Sequence, residues 1–220
     1  MIKVLPTWLE ADEVEEVVLT DWNSSNPFVY PHEKLRIIRV TNVDYWSSPQ
    51  AFNLSARFCN ENTDRIAKLD ADFKIQCPSI FTDIDLQEGE FISSGLDREQ
   101  GRGFIYVYKE DFWKVHGFDE RMWGYGDDDT DMWRRFTRLG LKLKYFPYQG
   151  KMKHLPHKEQ ADKSMHGVNT YIAYHDPWNS SMPLLGVSNL VQENVNTISC
   201  EIYRDPKHDE LLYTKEEDGV

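Results

Sequence analysis

Four aspartates crowd five positions at Asp127, Asp128, Asp129 and Asp131, directly after the turn Trp123-Gly124-Tyr125-Gly126. Asp is a favoured helix N-cap, and an acid in a first helical turn is stabilised by about 0.3–1 kcal/mol through the macrodipole. One or two acids satisfy that role, whereas four repel one another, so capping alone does not account for the cluster. Glycines on either side of Tyr125 permit unusual backbone angles, which leaves two readings of Trp123 and Tyr125. They are core residues, or they are flat aromatic faces displayed to a ligand. A second acidic pair, Asp70-Ala71-Asp72, ends the apolar run Ile66-Ala67-Lys68-Leu69. Side chains alternate along an extended chain, so Asp70 and Asp72 are expected to point the same way. Two carboxylates placed like that suit a hard divalent cation with positions left open for phosphate. The plainer reading is a solvated turn after a strand.

The elements that position these groups follow from periodicity. Glu16 to Thr20 and Leu35 to Val40 are short apolar, β-branched runs that read as strands, the first stopping in the polar turn Asp21-Trp22-Asn23-Ser24-Ser25-Asn26-Pro27. Ala51, Leu54 and Phe58 share one helical face between Pro49 and Asn60. Ile66 to Leu69 reads as the strand that delivers Asp70 and Asp72. Phe104 to Tyr108 is a further strand, with a short helix from Lys109 to His116. Met132, Trp133, Phe136 and Leu139 mark the buried side of a helix that Gly140 closes, and Leu141 to Phe146 returns as a strand. Strands alternating with helices predict a mostly parallel α/β sheet flanked by helices. The helical and strand pattern weakens after about Trp178, dividing the chain into 1–178 and a C-terminal extension, 179–220, that packs on the domain or trails from it. Thr197 to Tyr203 nevertheless alternates as a strand does.

These segments together resemble glycosyltransferases of the GT-A fold. The run Trp123-Gly124-Tyr125-Gly126-Asp127-Asp128-Asp129 is similar to the acceptor-site signature of inverting family 2 enzymes and of β-1,4-galactosyltransferases. Asp70-Ala71-Asp72 stands where those families keep a metal site. Val17 to Ser25, and the stretch from Asn53 to Arg57, resemble the family's upstream strand and helix. The resemblance implies that Asp129 is the general base acting on the acceptor hydroxyl and that Asp128 binds acceptor hydroxyls, with Asp where relatives commonly carry Glu. A sugar hydroxyl is a poor nucleophile, so a carboxylate facing the leaving group helps most. It further implies that Asp21, Asn53, Asp70, Trp123 and Tyr125 bind the nucleotide sugar. Asp70, Asp72 and His154 would hold Mn2+ or Mg2+, with His157 second to His154; the alternative is a pair of exposed loop histidines. Relatives carry an apolar strand ahead of the segment equivalent to Leu5-Pro6-Thr7-Trp8-Leu9, so the usual first strand is expected to be missing. Val17 to Thr20 is expected near the middle of the sheet, its vacant side covered by the tail beyond Val187 or by another chain in a homo-oligomer. Haloacid-dehalogenase phosphatases also place Asp-x-Asp after a strand, but they want Thr or Val where this chain has Lys74.

Composition narrows the remaining classes. A chain of 220 residues with 40% hydrophobic and 28% charged residues is long enough for a full core. A net charge of −12 argues against a nucleic-acid or anionic-membrane partner. Three cysteines without paired spacing suggest a reducing, cytoplasmic setting, and no apolar run is long enough for a membrane span. The expectation is a metal-dependent inverting transferase moving sugar from a nucleotide diphosphate donor, a UDP-sugar, to a saccharide hydroxyl. Its rivals are a catalytically impaired GT-A-like domain that binds nucleotide or carbohydrate, and a metal-dependent phosphoryl-transfer enzyme using Asp70 and Asp72.

Overall fold

The computed structural model describes residues 1–93, 103–146, 149–156, 163–175 and 183–203. Strand β2 (Leu35–Thr41) is the centre of the first half. Leu35, Ile37, Ile38 and Val40 are all buried, so side chains on both of its faces meet protein, as parallel sheets require. It pairs in parallel with β1 (Val17–Trp22) on one side and with β10 (Thr197–Tyr203) on the other. Strand β9 (Gly186–Asn194) pairs antiparallel with β10 and completes a four-stranded sheet, ordered β1-β2-β10-β9.

Helix α2 (Ser48–Arg57) carries the chain from this sheet to the next. The Ser47 side chain caps it by accepting the Gln50 N–H at 3.3 Å, and a proline stands in its first turn. The second sheet runs β3-β6-β5-β7, built from β3 (Arg65–Lys68), β5 (Glu90–Ser93), β6 (Ile105–Tyr108) and β7 (Lys142–Tyr145). A two-stranded ladder joins β4 (Phe73–Ile75) to β8 (Met152–His154). Helix α1 (Leu5–Leu9) lies against β4, where the Trp8 indole donates to the Phe73 carbonyl at 2.6 Å. The remaining helices are α3 (Ile80–Asp83), α4 (Lys109–Lys114), α5 (Asp128–Leu139) and α6 (His166–His175). None of the described helices is long and apolar enough to cross a membrane.

The expected α/β class is the class observed, but parallel and antiparallel pairing are mixed where a mostly parallel sheet is expected. Strand β1 is not near the middle of its sheet: among the described residues it pairs with β2 alone. The tail does enter the sheet through the segment expected to form a strand, but β10 takes the far side of β2 and leaves β1 at an edge. Residues 204–220 lie outside the described residues.

The two halves are joined through a buried carboxylate. Glu120, 1% exposed, accepts from Asn53 Nδ2 at 2.9 Å, from Arg57 Nη2 at 3.3 Å, and from the backbone N–H groups of Leu184 and Leu185 at 2.7 and 2.6 Å. Burial raises its pKa, and these donors oppose that shift. Glu120→Gln substitutes an amide donor for one of the accepting oxygens and leaves buried N–H groups without a partner. A loss of about 2 kcal/mol in urea unfolding is expected; a loss below a few tenths would show that the carboxylate does not join the halves.

Candidate active site

Helix α5 begins on an unusual backbone. Asp127, at its N-cap, adopts a left-handed conformation with φ 64°, and its side chain makes no capping bond. The preceding Gly126, at φ 106°, lies so close to α6 that a Cβ there would stand 2.6 Å from His166 Cδ2. Only glycine fits both constraints. The turn thereby leaves the four aspartates free for separate partners. Asp127 accepts from Thr170 Oγ1 of α6 at 2.6 Å, and Asp128 from Ser48 Oγ of α2 at 2.7 Å. Asp129 meets Lys68 Nζ of β3 at 2.9 Å. Asp131 is fully buried against Arg135 at 2.6 Å. The excess of acids over capping needs is thus distributed among three other elements and the helix's own interior.

The expected alignment of Asp70 with Asp72 is corrected. Strand β3 ends at Lys68, and the Phe73 N–H donates back to the Asp70 carbonyl at 3.0 Å, closing a turn over 70–73. Strand alternation therefore stops before Asp70, and the two carboxylates diverge. Asp70 Oδ1 pairs with Lys68 Nζ at 2.8 Å, whereas Asp72 Oδ2 meets His154 Nε2 at 3.1 Å. Among the described residues no three acidic, His or Cys side chains converge as a metal cluster, so Asp70, Asp72 and His154 do not form the expected triad. Asp72 and His154 form a pair. His157 lies outside the described residues.

Lys68 joins the two acidic motifs. Its nitrogen is within 2.9 Å of both Asp70 and Asp129, so those carboxylates face one another across a single ammonium. Burial alone would lower the lysine pKa; Asp129 and Asp70 reverse that and hold it well above its ordinary value. Burial raises Asp70 and Asp128, and the neighbouring Asp129 carboxylate adds to both shifts.

An open cleft of about 1610 Å³ contains Asp70, Asp72, Asp128, Asp129, His154 and Tyr125 in its lining. Tyr125 is 39% exposed, with Lys163 Nζ 5.3 Å from its ring centre. Trp123 does not line this cleft; its ring packs edge-on against Tyr45, and its carbonyl accepts from Asn169 Nδ2 at 3.0 Å. Two other expected ligand residues are turned to structural work. Asp21, 5% exposed, accepts the N–H groups of Ser24 and Phe28 and so fixes the turn after β1. Asn53 is fully buried, exchanging hydrogen bonds at 2.8 Å with both backbone groups of Phe118 while holding Glu120. Short polar side chains serve turns and backbone groups readily, which is why a motif position alone did not separate those roles.

Lys68, Ser48 and Trp46 were missed by sequence reasoning. Trp46 is 51% exposed on the cleft and meets Trp22 edge-on. A lysine within an apolar strand was the one readable signal, since lysine is seldom buried without a charged partner.

Residues 92–158 match the family described as N-terminal domain of galactosyltransferase. That segment holds β6, α4, the aromatic-glycine turn, α5, β7 and β8. A search of curated proteins finds no match. Among solved structures, the catalytic domain of Drosophila beta-1,4-galactosyltransferase 7 in complex with xylobiose is 14% identical with a TM-score of 0.61, over 80% of this chain and 82% of that one. A mutant of the same Drosophila enzyme, in complex with manganese, UDP-Gal and xylobiose, is 11% identical with a TM-score of 0.59, over the same shares. The family segment and the catalytic-domain fold support a glycosyltransferase.

Proposed function

We propose that this glycosyltransferase moves a sugar from a UDP-sugar to a saccharide hydroxyl, with manganese as cofactor and inversion at the transferred carbon. The observation that carries the reading is the meeting of the two acidic motifs at Lys68. An acid on the first turn of α5 is thereby held beside the turn that would bind a diphosphate.

Asp129 takes the proton from the attacking hydroxyl, a contribution worth about 10²- to 10⁴-fold for a positioned base. Asp128, oriented by Ser48, binds the acceptor's hydroxyls, and Tyr125 offers its ring to a sugar face. The donor types at Asp72 and His154, a carboxylate oxygen and an imidazole nitrogen, suit Mn2+ and lie partly exposed on the cleft. A cation held there would offset charge on the departing diphosphate. Asp129 approaches the cleft from α5, and the Asp72–His154 pair from the 70–73 turn and β8. The manganese, UDP-Gal and xylobiose of the Drosophila complex favour UDP-galactose as the first donor to try and a xylose-containing acceptor.

A catalytically impaired domain that binds nucleotide or carbohydrate is the second reading. It is favoured by Asp70, which is engaged with Lys68 rather than with Asp72 and His154. Titration of UDP with and without manganese, followed by turnover of UDP-sugars, separates the two. Manganese-dependent UDP binding with transfer supports the enzyme; binding without transfer or hydrolysis of any UDP-sugar supports the second reading. Asp72→Asn is expected to weaken manganese-dependent UDP binding by at least about tenfold with an unchanged circular dichroism spectrum. A variant binding as tightly as its parent would remove the site from Asp72.

A further inference from the structure

We propose that Lys68 is a positioning residue for the transfer reaction, its ammonium holding the Asp129 carboxylate aimed beside Asp70. The proposal rests on Asp129 acting as the base.

Its side chain is 5% exposed, yet it ends in a charge. Desolvating an ammonium is costly unless it is paired, and here it is paired twice, at 2.8 Å to Asp70 and at 2.9 Å to Asp129. The Phe52 ring covers it, with its centre 4.4 Å from Nζ. Backbone also crowds it. Gly103, at φ 102°, approaches so closely that a Cβ there would lie 2.5 Å from Asp70 Oδ2, 3.2 Å from Lys68 Nζ and 3.3 Å from Asp129 Oδ2. The phenyl ring and the close approach of a side-chain-free residue confine the ammonium beside the two carboxylates. Without it, the two carboxylates would repel each other, and Asp129 would lose the contact that fixes its side chain. Lys68 therefore acts through Asp129, and no contact with the sugar is required of it.

The test is Lys68→Ala, assayed with the UDP-sugar that the parent turns over. The parent's activity is measured first, and a parent that binds UDP but transfers nothing sinks the catalytic reading and this proposal with it. With an active parent, the expected result is a kcat lowered by about 10- to 100-fold, the cost typical of a misplaced reacting group. The donor KM and the manganese-dependent UDP affinity should stay within about threefold of the parent. Propylamine, which returns an ammonium to the vacated space, should restore part of kcat, and propanol of similar volume should not. Unchanged kcat overturns the proposal. So does a loss confined to donor KM, which would make Lys68 a diphosphate ligand. Equal rescue by amine and alcohol would overturn it as well, because volume rather than charge would then be what Lys68 supplies.

Discussion

Asp129→Asn is expected to lower the rate of sugar transfer by about 10²- to 10⁴-fold while leaving manganese-dependent UDP binding near the parental value. The size follows from the loss of a positioned general base, and the specificity from geometry. Asparagine keeps an oxygen that can accept from Lys68, so the contact now made at 2.9 Å survives in neutral form. The Asp72–His154 pair lies on different elements and is untouched. The loss should therefore fall on kcat, with little change in donor KM. Steady-state kinetics with a saturating UDP-sugar, beside a UDP titration of the same preparation, checks both halves. Retention of more than about a tenth of parental kcat would remove Asp129 from the role of base. Loss of UDP binding in parallel would point to a folding defect or a donor-side role.

Arg135→Met is expected to be the most destabilising single change in α5, at about 3–5 kcal/mol. Arg135 and Asp131 are 1% and 0% exposed, with nitrogen and oxygen 2.6 Å apart. The same guanidinium donates to the carbonyls of Val115, at 2.6 Å, and Gly117. Methionine fills the volume but strands a buried carboxylate and two carbonyl groups. Burial already pushes Asp131 up to about 6 against the pull of Arg135. A carboxyl raised in the folded state binds its proton more tightly there than when unfolded, so its favourable contribution is full below the unfolded value near 4. That contribution is lost as pH rises through the folded value. Removing the arginine widens this gap. Urea unfolding at pH 5 and pH 8 should accordingly show a larger penalty for the variant at pH 8. A pH-independent penalty would mean that the lost carbonyl contacts dominate over the stranded charge. Arg135→Met combined with Asp131→Leu should regain much of the loss, because an apolar pair of similar volume often replaces a buried ion pair without cost.

Local periodicity carried much of the fold. Met132, Trp133 and Phe136 are buried along α5, whereas Leu139, expected beside them, is exposed; Gly140 closes the helix at φ 99° with its N–H on the Phe136 and Thr137 carbonyls. The runs at 16–20, 35–40, 66–69 and 104–108 each overlap an observed strand. What escaped was short or governed by partners distant in sequence. β4 and β8 have three residues each, too few for alternation to register. Strand β9 is mostly exposed, and its paired partner β10, rather than an apolar pattern of its own, supports it. The same limit governed the site. Asp129 and Asp72 lie on the cleft, but Asp70 turned to Lys68, and Asp21 and Asn53 were claimed by backbone groups. Which donor a carboxylate finds depends on what folding brings beside it, and single-sequence patterns do not hold that information.

The buried Glu120 carboxylate also sets an order of events in the life of the chain. Its two backbone donors, at Leu184 and Leu185, are synthesised 64 and 65 residues after it. A chain growing at about 5–20 residues per second reaches them several seconds later. Until then Glu120 keeps only Asn53 and Arg57, and the turn leading to Trp123 and Tyr125 is held from one side. Contacts of such sequence separation close late, after the local helices and hairpins have formed. A ribosome-bound chain ending near residue 175 would thus present every acid of the cleft while the support behind its aromatic turn is still unmade. In a nascent chain, the aromatic-glycine turn gains this support only once residues 184 and 185 have been made.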